Sequence, residues 1–106
     1  MNFRLHFHGV SHDDEIKQSC QRLADSLKEE FPETSKFEVS LNHTGEQHEA
    51  HMHVTGKDLE VASSASGREL NDSIAESFER VRRPLRKHHD KQIYTRRRGA
   101  HKSEPG

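Results

Sequence analysis

The apolar residues of this chain change their period along the sequence, and that change dictates an order of elements. Phe3, Leu5 and Phe7 alternate with Arg4 and His6. Alternation sends successive side chains to opposite faces, so this segment is a half-buried strand, closed by Gly9 and Val10. The period then lengthens. Ile16, Cys20, Leu23, Leu27 and Phe31 recur every three or four residues and make one helical stripe. Ser11 reads as its N-cap, with Asp14 at the capping-box position. Asp13 and Glu15 add acid where a helix end is positive. Pro32 stops the helix, which is predicted over residues 12–31.

Alternation then returns. Phe37, Val39 and Leu41 form a second strand, and Asn42-His43-Thr44-Gly45 supplies turn chemistry. Ala50, Met52 and Val54 form a third strand, and Thr55-Gly56-Lys57-Asp58 a second turn. Leu59 and Val61 open a fourth strand that fades into small residues from Ala62 to Ser66. Ser66 and Glu69 read as another capping box. Leu70, Ile74, Phe78, Val81 and Leu85 then recur at helical spacing, giving a helix to about residue 91.

The order is β-α-β-β-β-α. Two amphipathic helices can cover one face of a four-stranded sheet, an α+β architecture. The first crossover makes strands one and two parallel, and the rest form an antiparallel meander. With 106 residues there is room for one domain, assigned to residues 1–92, followed by a basic disordered tail over 93–106. Hydrophobic residues make up 28% of the chain and charged residues 33%. The core is therefore thin.

Net charge is −1, but it is unevenly spread. Residues 1–67 hold six Lys/Arg against twelve Asp/Glu, and residues 68–106 hold eleven against six. A basic end on an acidic body points to a polyanion met by one surface. Drawn at 100° steps, the apolar residues of the second helix occupy an arc of roughly 80°. Arg80, Arg82, Arg83, Arg86, Lys87 and Lys91 fall on the opposite half, and Arg96, Arg97 and Arg98 continue them in the tail. Arginine suits phosphate because its planar fork holds two oxygens at once. Five or so such contacts give a salt dependence with a slope of about −4 in log K against log salt. Folded RNA fits better than single strands. Tyr94 is the only Tyr, there is no Trp, and all five Phe occupy inward positions, so stacking platforms are lacking.

Other chemistries find less support. Of ten histidines, His6 and His8 share one strand face and His51 and His53 another, but no recognisable metal-ligand set surrounds them. No metal or other cofactor is expected. Cys20, the only cysteine, sits on an apolar stripe and reads as packing. The sequence has no Gly-rich phosphate loop, no GxSxG and no HExxH, so no enzyme is expected. Neither an apolar leader nor a run of about 18 apolar residues occurs, and a cytoplasmic location is expected.

Thr55-Gly56-Lys57-Asp58-Leu59, the acid-poor strand after it, and the helix containing Leu70-Asn71-Asp72-Ser73-Ile74-Ala75 and ending in Arg82-Arg83-Pro84-Leu85-Arg86-Lys87-His88-His89-Asp90-Lys91 resemble the ribosome hibernation-promoting factor family. This family is also known as ribosome-associated inhibitor A, or the sigma-54 modulation and S30EA proteins. The likeness covers about residues 1–92 and is strongest in the last helix. It implies a domain bound to the 30S subunit of the 70S ribosome, between head and body, against 16S rRNA. There it would overlap the mRNA and tRNA channel and silence idle ribosomes in stationary phase or stress. It further implies that Arg82, Arg83, Arg86, Lys87 and Lys91 make the RNA contacts. The free chain is expected to be monomeric, with no membrane and no small-molecule substrate. The alternative is a general binder of structured RNA. Two features depart from the family. Pro84 stands where a polar helix former is usual and is expected to kink the helix. The sequence ends near residue 106 without the extra C-terminal domain of the long members, so the short type is expected.

Overall fold

A computed structural model describes the backbone of residues 1–101 and the side chains of residues 1–91. The elements follow in the order β1 (Asn2–His8), α1 (Asp14–Glu30), β2 (Thr34–Thr44), β3 (Gln47–Gly56), β4 (Leu59–Gly67) and α2 (Leu70–His101). The four strands lie side by side in chain order. β1 and β2 are parallel, and the two later pairs are antiparallel. This is the architecture that the periodicity requires.

Register follows from one-sided burial. Phe37, Val39 and Leu41 on β2 lie beside Val54, Met52 and Ala50 on β3, and all six are buried. A slip of one residue would turn this set to solvent. α1 covers β1 and β2 with Cys20, Ala24, Leu27 and Phe31, whereas α2 covers β3 and β4 with Ile74, Phe78, Val81 and Leu85. Two buried serines fix α2 on the sheet. Ser73 Oγ donates to the His48 carbonyl at 2.8 Å, and Ser63 Oγ donates to the Ser77 carbonyl at 2.7 Å.

Element ends differ from the sequence reading in three places. The N-cap of α1 is Asp13, not Ser11; its carboxylate accepts from Glu15 N at 2.8 Å and Ile16 N at 3.4 Å. A charged oxygen interacts more strongly with the helix end than a hydroxyl does. Ser66 does not cap α2, because it still belongs to β4; the Glu69 carbonyl instead accepts from Ser73 N at 3.1 Å. α2 continues to His101, past the end expected near residue 91. No Gly or Pro follows Pro84 until Gly99, so nothing interrupts the backbone ladder. The tail expected over 93–106 has its side chains, and residues 102–106 entirely, outside the described residues. Pro84 lies inside α2 on its exposed side, and the helix continues through it. The carbonyl that loses its partner there can be hydrated.

Both hairpins turn on two residues, Gly45-Glu46 and Lys57-Asp58. Gly45 has φ +63° and Asp58 has φ +58°, the left-handed region that glycine and aspartate tolerate. Gly56 is required for a different reason. A Cβ there would lie 2.2 Å from the Glu33 carbonyl oxygen and 2.9 Å from Thr34 Cα. The β3–β4 turn is pressed against the α1–β2 connection, where Lys57 N donates to the same carbonyl at 3.1 Å. Gly56→Ala is therefore expected to destabilise the fold by about 2–3 kcal/mol. Urea denaturation checks this, as a lower midpoint with an unchanged slope.

Candidate nucleic-acid interface

α2 is apolar beneath and basic above. Val81 and Leu85 are completely buried, whereas Arg83, Arg86 and Lys87 between and beyond them are exposed. With the underside fixed, the azimuth of every cation is fixed too. The structure sorts these cations into three groups, and this corrects the uniform basic half-cylinder expected from the sequence.

The first group faces α1. Arg82 Nε and Nη2 donate to the two oxygens of Glu30 at 3.1 and 2.9 Å, and Arg86 Nη2 donates to Glu30 Oε1 at 3.0 Å. Arg82 also reaches Glu79 at 3.4 Å. Arg82 lies about 80° from the centre of the apolar arc, on its flank rather than on the opposite half. Glu30 ends α1, where the helix dipole disfavours a carboxylate, and the two guanidinium groups offset that. The Arg82 hydrogen bond holds the Glu30 carboxyl below its ordinary value, helped by the nearby charges of Arg82 and Arg86. Next along, His89 Nδ1 meets Glu33 Oε1 at 2.9 Å while its ring sits edge-on to Phe31.

The second group is Arg80 alone. It folds over the edge of the sheet, donating to the Ser64 carbonyl and to Glu76 Oε1, each at 2.7 Å. The third group is Arg83, Lys87 and Lys91. Among the described residues, none of these has a carboxylate oxygen within 4.0 Å. They are exposed on α2, where an anion could reach them without displacing a carboxylate of the described residues. The side chains of Arg96, Arg97 and Arg98 lie outside the described residues.

Sequence reasoning missed the part played by Glu30 and Glu33. Each lies more than fifty residues from its basic partner, and no local pattern signals such a pair. The opposite sheet face carries Arg4, His6, His8, Glu38, Ser40, Asn42, Glu49, His51 and His53, the mixed polar surface expected from alternation. Among the described residues, no three His, Cys, Asp or Glu side chains converge to hold a metal. Cys20 is fully buried, and burial pushes its thiol up to about 11, so it stays protonated at neutral pH. No helix among the described residues is long and apolar enough to cross a membrane.

α2 thus carries a basic ridge on a β-α-β-β-β-α domain. Residues 3–93 match the sigma 54 modulation protein / S30EA ribosomal protein family, and the chain belongs to it. No curated protein matches it significantly. Solved structures share the fold, two of which are the following. The Protein Y N-terminal domain of Thermus thermophilus superposes with a TM-score of 0.75 at 17% identity, covering 83% of this chain and 99% of that one. A ribosomal subunit interface protein from Coxiella burnetii superposes with a TM-score of 0.78 at 10% identity, covering 85% and 99%. At such identities the likeness is one of fold.

The lowered Glu30 carboxyl has a testable sign. A depressed carboxylate stabilises the fold above its unfolded value and loses that contribution as pH falls through its folded value. The melting-temperature gap between wild type and Glu30→Gln is therefore expected to be full above about pH 4.5 and to shrink at lower pH. Thermal melts of both proteins from pH 7 to 3 check this.

Proposed function

We propose that this chain is a ribosome-associated translation inhibitor that binds the small subunit through the outward ridge of α2. Bound between head and body against 16S rRNA, it occupies the mRNA and tRNA channel and keeps idle ribosomes silent under stress or in stationary phase. The mechanism is steric. The protein makes and breaks no bond, needs no cofactor, and acts in the cytoplasm. Membership of the S30EA family supports the ribosome as target. The observation that carries the reading is the ridge of Arg83, Lys87 and Lys91, exposed and without a carboxylate partner among the described residues. Arg82 and Arg86 flank it, half turned to Glu30, and each keeps guanidinium N–H groups for phosphate. The tail arginines Arg96, Arg97 and Arg98 extend the same basic run. The acidic α1 surface, with Asp13, Asp14, Asp25 and Glu29 exposed, repels phosphate and leaves α2 as the contacting side.

Arg82 and Arg86 are poor positions for testing this idea. Reversing either sets a carboxylate against Glu30 and weakens the fold along with binding. Arg83→Glu with Lys87→Glu touches neither pair. That double variant is expected to keep the wild-type melting temperature and to lose co-sedimentation with small subunits in sucrose gradients. Its residual binding should show a salt slope smaller in magnitude by about two. Unchanged co-sedimentation would refute the ridge as the interface. Ready competition by unrelated duplex RNA would instead indicate a general RNA binder.

A further inference from the structure

We infer that Glu30 is a specificity residue: its carboxylate is a built-in competitor that masks Arg82 and Arg86, so that RNA gains these two arginines in full only by displacing it. The inference deepens the ridge reading and rests on it. The mask is geometric. Glu30 accepts from Nε and Nη2 of Arg82 at 3.1 and 2.9 Å, and from Nη2 of Arg86 at 3.0 Å. Two oxygens on two parallel N–H groups of one guanidinium is the arrangement a phosphate would make. Arg82 also gives Nη1 to Glu79 at 3.4 Å, so each of its nitrogens is engaged by a carboxylate.

Position on α2 gives the mask its consequence. Arg82 and Arg86 are one helical turn apart, and so are Arg83 and Lys87 beside them, so the four make one basic patch. Arg83 and Lys87 have no carboxylate partner among the described residues. The other two corners are tied to a single acid, which offsets one of their two charges. The Arg82 hydrogen bond lowers the Glu30 carboxyl, so the acid stays ionised at neutral pH. Attraction to phosphate carries no information about sequence or shape. An acid set inside the patch weakens that indiscriminate attraction and leaves discrimination to the shape of the RNA.

Two observations mark Glu30 as displaceable rather than fixed. Its side chain is 30% exposed, and those of Arg82 and Arg86 are 32% and 58% exposed. Ion pairs so open to water are weak enough for another anion to replace. Glu30 also borders a groove of about 320 Å³ between the helices, lined by Leu23, Ser26, Phe78 and Glu79. The carboxylate can swing into that groove or into water without moving a buried residue. The opposite role, in which Glu30 orients the two guanidinium groups for RNA, predicts the opposite sign. Removing the charge would then weaken binding, whereas removing a mask strengthens it.

Binding of the full chain to a fluorescein-labelled RNA duplex of unrelated sequence, followed by anisotropy from low to moderate salt, tests the mask. Glu30→Gln keeps the size of the side chain and removes its charge. It is expected to bind about fivefold tighter than wild type at low salt, with a salt slope larger in magnitude by about one. Glu29→Gln makes the same change at the adjacent exposed residue, which pairs with no cation among the described residues. That variant is expected to stay within about twofold of wild type. In a chain already carrying Arg82→Gln and Arg86→Gln, Glu30→Gln is expected to add nothing. Thermal melts confirm that each variant is folded at the assay temperature. Equal effects of the two glutamine variants, no effect of either, weaker binding by Glu30→Gln, or a gain that persists without the two arginines would overturn the inference and leave the ridge standing. A duplex bound by neither wild type nor any variant would overturn the ridge and the mask together.

Discussion

The burial of Val81 and Leu85 against the sheet is the constraint on which the rest depends. An isolated helix carrying Arg82, Arg83, Arg86 and Lys87 would present its charge in every direction as it rotated and frayed. Fixed by five apolar residues beneath, and by Ser73 and Ser77 bonded into β3 and β4, α2 has one azimuth. Its outward charges then form a line rather than a cloud. Helix pitch sets the spacing: Arg83 and Lys87 are one turn apart, as are Lys87 and Lys91. The lack of a large core matters less here than the concentration of what apolar surface there is onto β2, β3 and the two helices that cover them.

The same positioning explains why the cations differ in chemistry though they are neighbours in sequence. Arg82, on the flank of the apolar arc, comes within hydrogen-bonding distance of α1, and Glu30 is waiting there. Arg80, on the other flank, reaches the sheet edge. Among the described residues, Arg83 and Lys87, near the crest, and Lys91, one turn further on, have no carboxylate partner. Charges on the flanks secure α2 to its neighbours. Charges on the crest are left for something outside the molecule. Partly exposed pairs of this kind contribute modestly to stability, and their larger effect is to orient.

Much of this was legible in the sequence because it rests on period alone. Alternation at Phe37, Val39 and Leu41, and helical recurrence from Leu70 to Leu85, need no long-range information, and the parallel pairing of β1 with β2 follows from the crossover between them. The failures have two causes, one local and one long-range. Asp13 outcompetes Ser11 as a cap through a local choice between two plausible acceptors. The pairing of Glu30 with Arg82 depends on how closely the ends of α1 and α2 approach, and no spacing encodes that. Gly56 reads as an ordinary turn glycine, yet it is needed because another backbone passes directly over it. Among the candidate site residues with described side chains, the sequence gave the cations one role, whereas packing sorts them into three groups.

Directed hydroxyl-radical probing of the ribosome-bound protein tests the central claim most directly. A tether at Asp90→Cys, beside Lys87 and Lys91 on the exposed side of α2, is predicted to cut small-subunit rRNA along the mRNA channel, while the same tether at His51→Cys, on the far face of the sheet, leaves that channel intact. Cuts from residue 51 that equal or exceed those from residue 90 would mean that the sheet, not the helix, faces the RNA, and the account would be wrong.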